Sequence, residues 1–208
     1  MILIGQYDSP FVRRVAIALR LYGLAFEQRP WSTFGDADKL ARLNPLRRVP
    51  TLVLDDGEVL VGSDAILDHL DETHGRERAL IAAMGPARRA ALKRCALASG
   101  TSEKAVGFFY ARLFATSLDP LFVARSEAQL RDGLAALDQA CAQRQGDWWF
   151  GSEPGHDDIM AACTARHACD AYPTVLRLAD YPALASHCAR AEARPEFLAI
   201  RQEFIPPE

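Results

Sequence analysis

The chain has no excess of basic charge: 24 lysines and arginines stand against 27 aspartates and glutamates, a formal net charge of -3. That balance offers no electrostatic footprint for nucleic acid or an anionic lipid surface, so neither partner is expected. Cysteine motifs are missing too. The five cysteines, Cys95, Cys141, Cys163, Cys169 and Cys188, are an odd number and none lies in a C-x-x-C pair. A chain this long needs no disulfide framework. They read as reduced, mostly buried thiols of a cytoplasmic protein. No apolar run approaches the roughly 18 to 20 residues that span a bilayer, and the opening "MILIG" is too short for a signal peptide and lacks a basic leader. His69, His74, His156, His167 and His187 show no H-E-x-x-H or similar spacing, so no metal is expected. Repeats and low-complexity tracts are also lacking.

What is present is apolar residue, half of a 208-residue chain, enough for two small domains with separate cores. Met1 to Gln6 suits a buried strand. Pro10 to Tyr22 carries Phe11, Val15, Leu19 and Tyr22 at helical spacing and stops at Gly23. "AFEQRPW" is a weaker, more exposed strand, and "DADKLARL" a helix ending before Pro45. "TLVLDDGEVLV" reads as two antiparallel strands around an Asp-Asp-Gly turn, after which Ser63 caps "DAILDHLDE", with Ile66, Leu67 and Leu70 on one face. The order is β-α-β-α-β-β-α, with parallel pairing across the first crossover and a hairpin at the end. From Pro86 onward the sequence turns helical, with Leu130, Leu134, Leu137 and Cys141 forming one face, and no strand is legible. The fold class is therefore α/β plus all-α. A domain over 1–77 is followed by an all-helical domain over 86–208, with the boundary between His74 and Gly85.

Ser9 before Pro10 is a favoured helix start, and loss of such a cap costs about 1 kcal/mol. The same geometry serves chemistry, because the positive end of a helix and a serine hydroxyl together favour a thiolate over a thiol. Arg13 and Arg14 read as solvated or paired at the helix surface. Asp157 and Asp158 in "GHDDIM" read as dipole partners in a first helical turn. Phe108, Phe109, Tyr110 and Phe114 read as core, with some facing a pocket.

The combination "SPFVRR", "NPLRR" followed by Val49-Pro50-Thr51, and "GSDAILDHLDE" resembles the thioredoxin-like amino-terminal domain of soluble glutathione transferases, the serine-type bacterial members in particular. The resemblance implies a thioredoxin-like domain followed by an all-helical substrate-binding domain. It implies a cytoplasmic detoxification enzyme that takes glutathione as co-substrate, uses no metal and conjugates small hydrophobic electrophiles held between the domains. It gives Ser9 the thiolate-stabilising role, ahead of Tyr7, the nearest other hydroxyl. It implies a cis Val49-Pro50 bond, with Val49 pairing to glutathione like an added strand, and it puts Phe11, Arg48, Val49, Pro50, Ser63 and Asp64 at the glutathione site. Gly62 departs from the family, which has an acid there to bind the γ-glutamyl amine; Asp64 follows one residue late. Gly155 likewise stands where the family's capping motif has Ser or Thr, with Asp158 at the usual acidic position. A two-fold homodimer is implied. The alternative is a non-catalytic interaction protein on the same fold. A thiol–disulfide oxidoreductase is disfavoured, since neither Ser9 nor Pro10 is cysteine.

Overall fold

A computed structural model describes residues 1–74 and 79–206. Residue 77, the expected end of the first domain, lies outside them. The chain forms two compact units, Met1–Ala83 with Arg194–Glu208, and Met84–Ala193. The sequence reading runs the helical domain to residue 208, whereas the tail from Arg194 belongs to the first unit. Its anchors, Phe197 and Ile200, are fully buried there.

The first unit runs β1 (Ile2–Ile4), α1 (Pro10–Leu21), β2 (Glu27–Arg29), α2 (Ala37–Ala41), β3 (Thr51–Val53), β4 (Val59–Val61) and α3 (Ser63–Thr73). The sheet order is β2-β1-β3-β4. β1 pairs parallel with β2 and antiparallel with β3, and β3 pairs antiparallel with β4. The parallel crossover and the hairpin are as the sequence predicts, and the whole is the thioredoxin-like arrangement that the resemblance implies. The strands are only three residues long, so helices supply most of the core. Every residue of α1 from Val12 to Leu19 is buried, and α1 packs on α3, β1 and the short C-terminal helix α8 (Pro195–Leu198). A helix enclosed on several sides buries whatever the sequence puts there, arginines included.

The second unit is helical: α4 (Gly85–Phe114), α5 (Pro120–Ala142), α6 (His156–Ala171), a 3-10 turn at Leu178–Asp180, and α7 (Pro182–Glu192). Leu130, Leu134, Leu137 and Cys141 are buried as their spacing predicts. Gly133 lets α5 approach α4, since a Cβ there would lie 2.2 Å from Thr101 Oγ1. Ser102 and Thr164 share a buried hydrogen bond of 2.9 Å, and Thr164 also donates to the Ala98 carbonyl at 3.0 Å, joining α4 to α6. Asp158 accepts the Gly155 N–H at 3.0 Å and two contacts from the Trp149 N–H at 3.1 and 3.2 Å. Glycine has no side chain to return the bond, so only the acidic arm of a capping box operates. Asp157 pairs with Arg94 at 2.7 Å. Among the aromatics, Phe108 is buried and stacks on Tyr172 at 5.5 Å, while Phe114 is 55% exposed.

Candidate functional site

Ser9 is the N-cap of α1, in extended conformation, with Pro10 as the first helical residue. Its Oγ accepts the Val12 N–H at 3.4 Å, beyond the usual range of about 2.7 to 3.2 Å. The cap bond is weak, and the half-buried hydroxyl keeps its own proton for another acceptor. Tyr7 lies two residues away, and burial raises its hydroxyl pKa.

Gly5 draws the next segment in. Its φ is +131°, a backbone region favouring glycine, and a Cβ there would lie 2.5 Å from Val12 and 2.9 Å from Val49. The end of β1 thus fits between the first turn of α1 and the loop before β3. In that loop the Val49-Pro50 bond is cis. Buried Asn44 holds the approach: its Nδ2 donates to the Arg48 carbonyl at 3.0 Å and to Thr51 Oγ1 at 3.3 Å, while its Oδ1 accepts the Leu46 N–H at 3.0 Å. Among the described residues neither the Val49 N–H nor its C=O takes a backbone partner. Arg48 points into solvent, its carbonyl fixed and its side chain exposed.

The third segment begins at Gly62, whose N–H donates to the Pro50 carbonyl at 3.3 Å. Gly62, with φ of 85°, is the N-cap of α3, and Ser63 is its first helical residue. The expectation that Ser63 caps this helix is therefore corrected: its hydroxyl is turned to Arg14 instead. Arg14 is 1% exposed. Its guanidinium donates to Ser63 Oγ and to Asp64 Oδ1, the latter at 2.8 Å, and lies 5.9 Å from the ring of half-buried Phe11. The reading of Arg14 as a helix-surface charge fails on burial. α1 packs against α3 on this side, so the cation reaches the start of α3 from inside the unit.

Arg13 is buried as well, at 3% exposure, and points to the tail: Nε donates to the Ile200 carbonyl at 3.3 Å and Nη2 to the Phe197 carbonyl at 3.4 Å. Consecutive arginines on a helix project about 100° apart, which is why one serves α3 and the other α8. Sequence reading missed Gly5, Arg14 and Asn44. Their signals were a glycine closing a strand, an arginine within an apolar helical run and an asparagine before proline.

Four of the expected residues, Ser9, Val49, Pro50 and Ser63, thus belong to segments linked through Gly5, Gly62 and Arg14. Phe11 and Asp64 flank Arg14, and Arg48 is exposed next to Val49 in the loop before β3. The set offers a helix start with a hydroxyl, an unpaired strip of backbone, and a buried cation orienting a serine and a carboxylate. Such a set suits a short peptide bearing charged ends and a thiol. Among the described residues, no group of three or more potential ligands is placed to hold a metal.

A small sheet of this order with a cis-proline before β3, joined to a helical unit, defines a thioredoxin-like transferase architecture. Family models agree: residues 3–78 match the glutathione S-transferase N-terminal domain and residues 120–190 the C-terminal domain. A maleylacetoacetate isomerase of Pseudomonas aeruginosa is 32% identical over 94% of this chain and 96% of its own. A glutathione S-transferase of Methylobacterium radiotolerans, solved with glutathione sulfonate, superposes with a TM-score of 0.91 at 28% identity, over 100% of this chain and 97% of that one. A glutathione transferase family member of Pseudomonas fluorescens, solved with glutathione, gives 0.79 at 27% identity over 98% and 99%. The chain belongs to the glutathione S-transferase family.

Proposed function

We propose that this transferase binds glutathione along the Ser9, Val49 and Ser63 segments and uses its thiolate on small hydrophobic electrophiles. The observation that carries the reading is Ser9 itself, a hydroxyl at the positive end of a twelve-residue helix with only a 3.4 Å cap bond. Ser9 donates a hydrogen bond from its hydroxyl to the thiolate, and α1 adds partial positive charge. Val49 receives the cysteinyl backbone as an added strand would. Ser63 donates to the γ-glutamyl carboxylate, Asp64 takes the amine, and Arg48 meets a second carboxylate. Phe11 and Pro50 wall the site. The protein works as a two-fold homodimer in detoxification.

Ser9→Ala tests the reading through the thiol pKa of bound glutathione, taken from the pH dependence of conjugation with a generic aromatic electrophile. Loss of the hydrogen bond raises that pKa by roughly one to two units, or about 1.4 to 2.7 kcal/mol. Ser9→Asp raises it further, since like charges then meet. An unchanged value in a folded Ser9→Ala removes Ser9 from the chemistry. Failure of the wild-type chain to bind immobilised glutathione would instead favour the non-catalytic interaction protein.

The full-length relative named as an isomerase favours a second reading of the same site. The thiolate adds to one carbon of an activated double bond, the adduct rotates about the carbon–carbon bond that has become single, and the carbon–sulfur bond then breaks to restore the double bond and release the thiolate. Glutathione is returned unchanged, so its consumption per turnover separates the two readings.

A further inference from the structure

The Ser9 turn is held from a distant part of the sequence. The tail from α8 onward meets the segment between β1 and α1, with contacts at Tyr7 and Asp8 before Ser9 and at Arg13 after it. Gln202 Oε1 accepts the Tyr7 N–H at 2.9 Å. Asp8 Oδ2 accepts the Ile205 N–H at 3.4 Å. On the helical side, the Arg13 guanidinium donates to the Phe197 and Ile200 carbonyls, and its carbon lies 5.7 Å from the centre of the Phe197 ring. The Arg13 N–H meanwhile donates to the Ser9 carbonyl at 2.9 Å. Phe197 and Ile200 are fully buried, whereas Gln202 is half-buried and Ile205 exposed. The tail therefore has a fixed root and a hydrogen-bonded outer part. A backbone amide of a turn needs a partner, and Tyr7 finds one in a side chain 195 residues away.

We infer that Phe197–Ile205 is a strap that positions the Ser9 turn for glutathione, with Gln202 its principal positioning residue. The inference rests on the reading of this turn as the thiolate site. An accepting amide oxygen at Tyr7 fixes the peptide plane two residues before Ser9, and Arg13 fixes the first turn after it. Freed at one side, the turn samples orientations in which the hydroxyl misses the sulfur. An ångström of misplacement costs up to about a hundredfold in rate, and a partly loosened turn less.

Two variants test it: Gln202→Leu, which keeps volume and deletes the acceptor, and a chain ending at Arg201, which keeps the buried root. Each is measured beside Ser9→Ala for the pKa of the bound glutathione thiol, for kcat and KM, and for amide hydrogen exchange across residues 5–13. The expected result is an exchange rate several-fold faster in that turn, a thiol pKa raised toward the Ser9→Ala value, and kcat/KM lower by about three- to tenfold. A purely structural strap would lower the melting temperature and leave the thiol pKa of the folded fraction where it was, which overturns the proposal. If Ser9→Ala shifts the pKa and both tail variants do not, the strap falls and Ser9 stands. If the tail variants shift it and Ser9→Ala does not, Ser9 falls, and the strap stands as the positioner of another donor in the turn. No glutathione-dependent turnover in the wild-type chain removes both.

Discussion

Replacing Arg14 by methionine removes a guanidinium that is 1% exposed and leaves a side chain of similar reach. The hydrogen bonds to Ser63 Oγ and Asp64 Oδ1 go with it. Asp64 loses little, because its side chain is 81% exposed and water replaces the cation; a pair of that kind contributes about 0 to 1 kcal/mol. Ser63 is 5% exposed, and a buried hydroxyl left without its partner costs about 1 to 3 kcal/mol. Against both stands the burial of the guanidinium, whose desolvation costs several kcal/mol and which methionine avoids. The terms nearly cancel, so stability should stay within about 2 kcal/mol of wild type. Glutathione binding at Ser63, as proposed, has no such compensation. Ser63 Oγ accepts from Arg14, which leaves its own proton to donate, and without the cation the hydroxyl loses that fixed partner. The KM for glutathione should rise about tenfold, equivalent to about 1.4 kcal/mol, with a smaller change in kcat. Arg14→Lys should fall between, since an ammonium cannot present the same fork to two acceptors. Urea unfolding gives the first quantity and initial rates at varied glutathione the second. A folded Arg14→Met with unchanged KM would refute the assignment of Arg14 to the site.

Gly62→Glu should cost about 1 to 2 kcal/mol, because a side chain must enter the left-handed region at φ of 85°, yet its Cβ would meet nothing within 4 Å. If an acid there receives the γ-glutamyl amine, retention on immobilised glutathione increases despite the lower stability. In the second unit, burial pushes the Asp158 carboxyl up to about 7 and the His187 imidazole down to about 4. Asp158 holds an extra proton when folded, so its contribution is present below its unfolded pKa and lost as pH rises toward 7. His187 lacks one when folded, so its contribution is lost as pH falls toward 4. Each slope is at most about 1.4 kcal/mol per pH unit, and they oppose each other between about pH 4.5 and 6. Urea midpoints should therefore be nearly flat there, whereas Asp158→Asn should lower them overall and leave stability rising with pH. The proposed homodimer should sediment at about twice the 22.9 kDa chain mass, and a persistent monomer at micromolar protein would refute it.

The order of the first unit is legible because each element carries its own periodicity and punctuation. Gly23 ends α1, Asp56-Gly57 turns β3 into β4, and the helical second unit announces itself by the loss of strand pattern. Short strands are the weak point. Glu27–Arg29 is polar and exposed or half-buried, and only pairing with β1 makes it a strand. Of the site, Ser9, Val49-Pro50 and Ser63 are visible because proline and serine mark backbone events. The supports are not. Arg14 reads as a surface charge, since nothing local says that α1 is enclosed, and Asn44 reads as a helix stop although its amide fixes the loop that carries Val49. The tail's return is invisible for the same reason: a four-residue helix has no periodicity to show which unit it joins.

Gly62 and Arg14 are best understood together. The backbone at Gly62 has a positive φ and closes back on Pro50, an arrangement that glycine takes without penalty. An acid at that position would carry its carboxylate from the N-cap, outside the helix. Here the acid stands two residues on, in the first turn of α3, where the helix end itself favours negative charge. It is also where Arg14 reaches it, so one buried cation orients the serine and the displaced acid at once. A carboxylate that is 81% exposed would otherwise spend most of its time in bulk water. The salt bridge contributes little to stability, but it biases the position of the acid at small cost, because the guanidinium is already committed to Ser63. If Asp64 takes the γ-glutamyl amine as proposed, an acid two residues after Gly62, with Arg14 to hold it, makes the departure at Gly62 a relocation of charge rather than its removal.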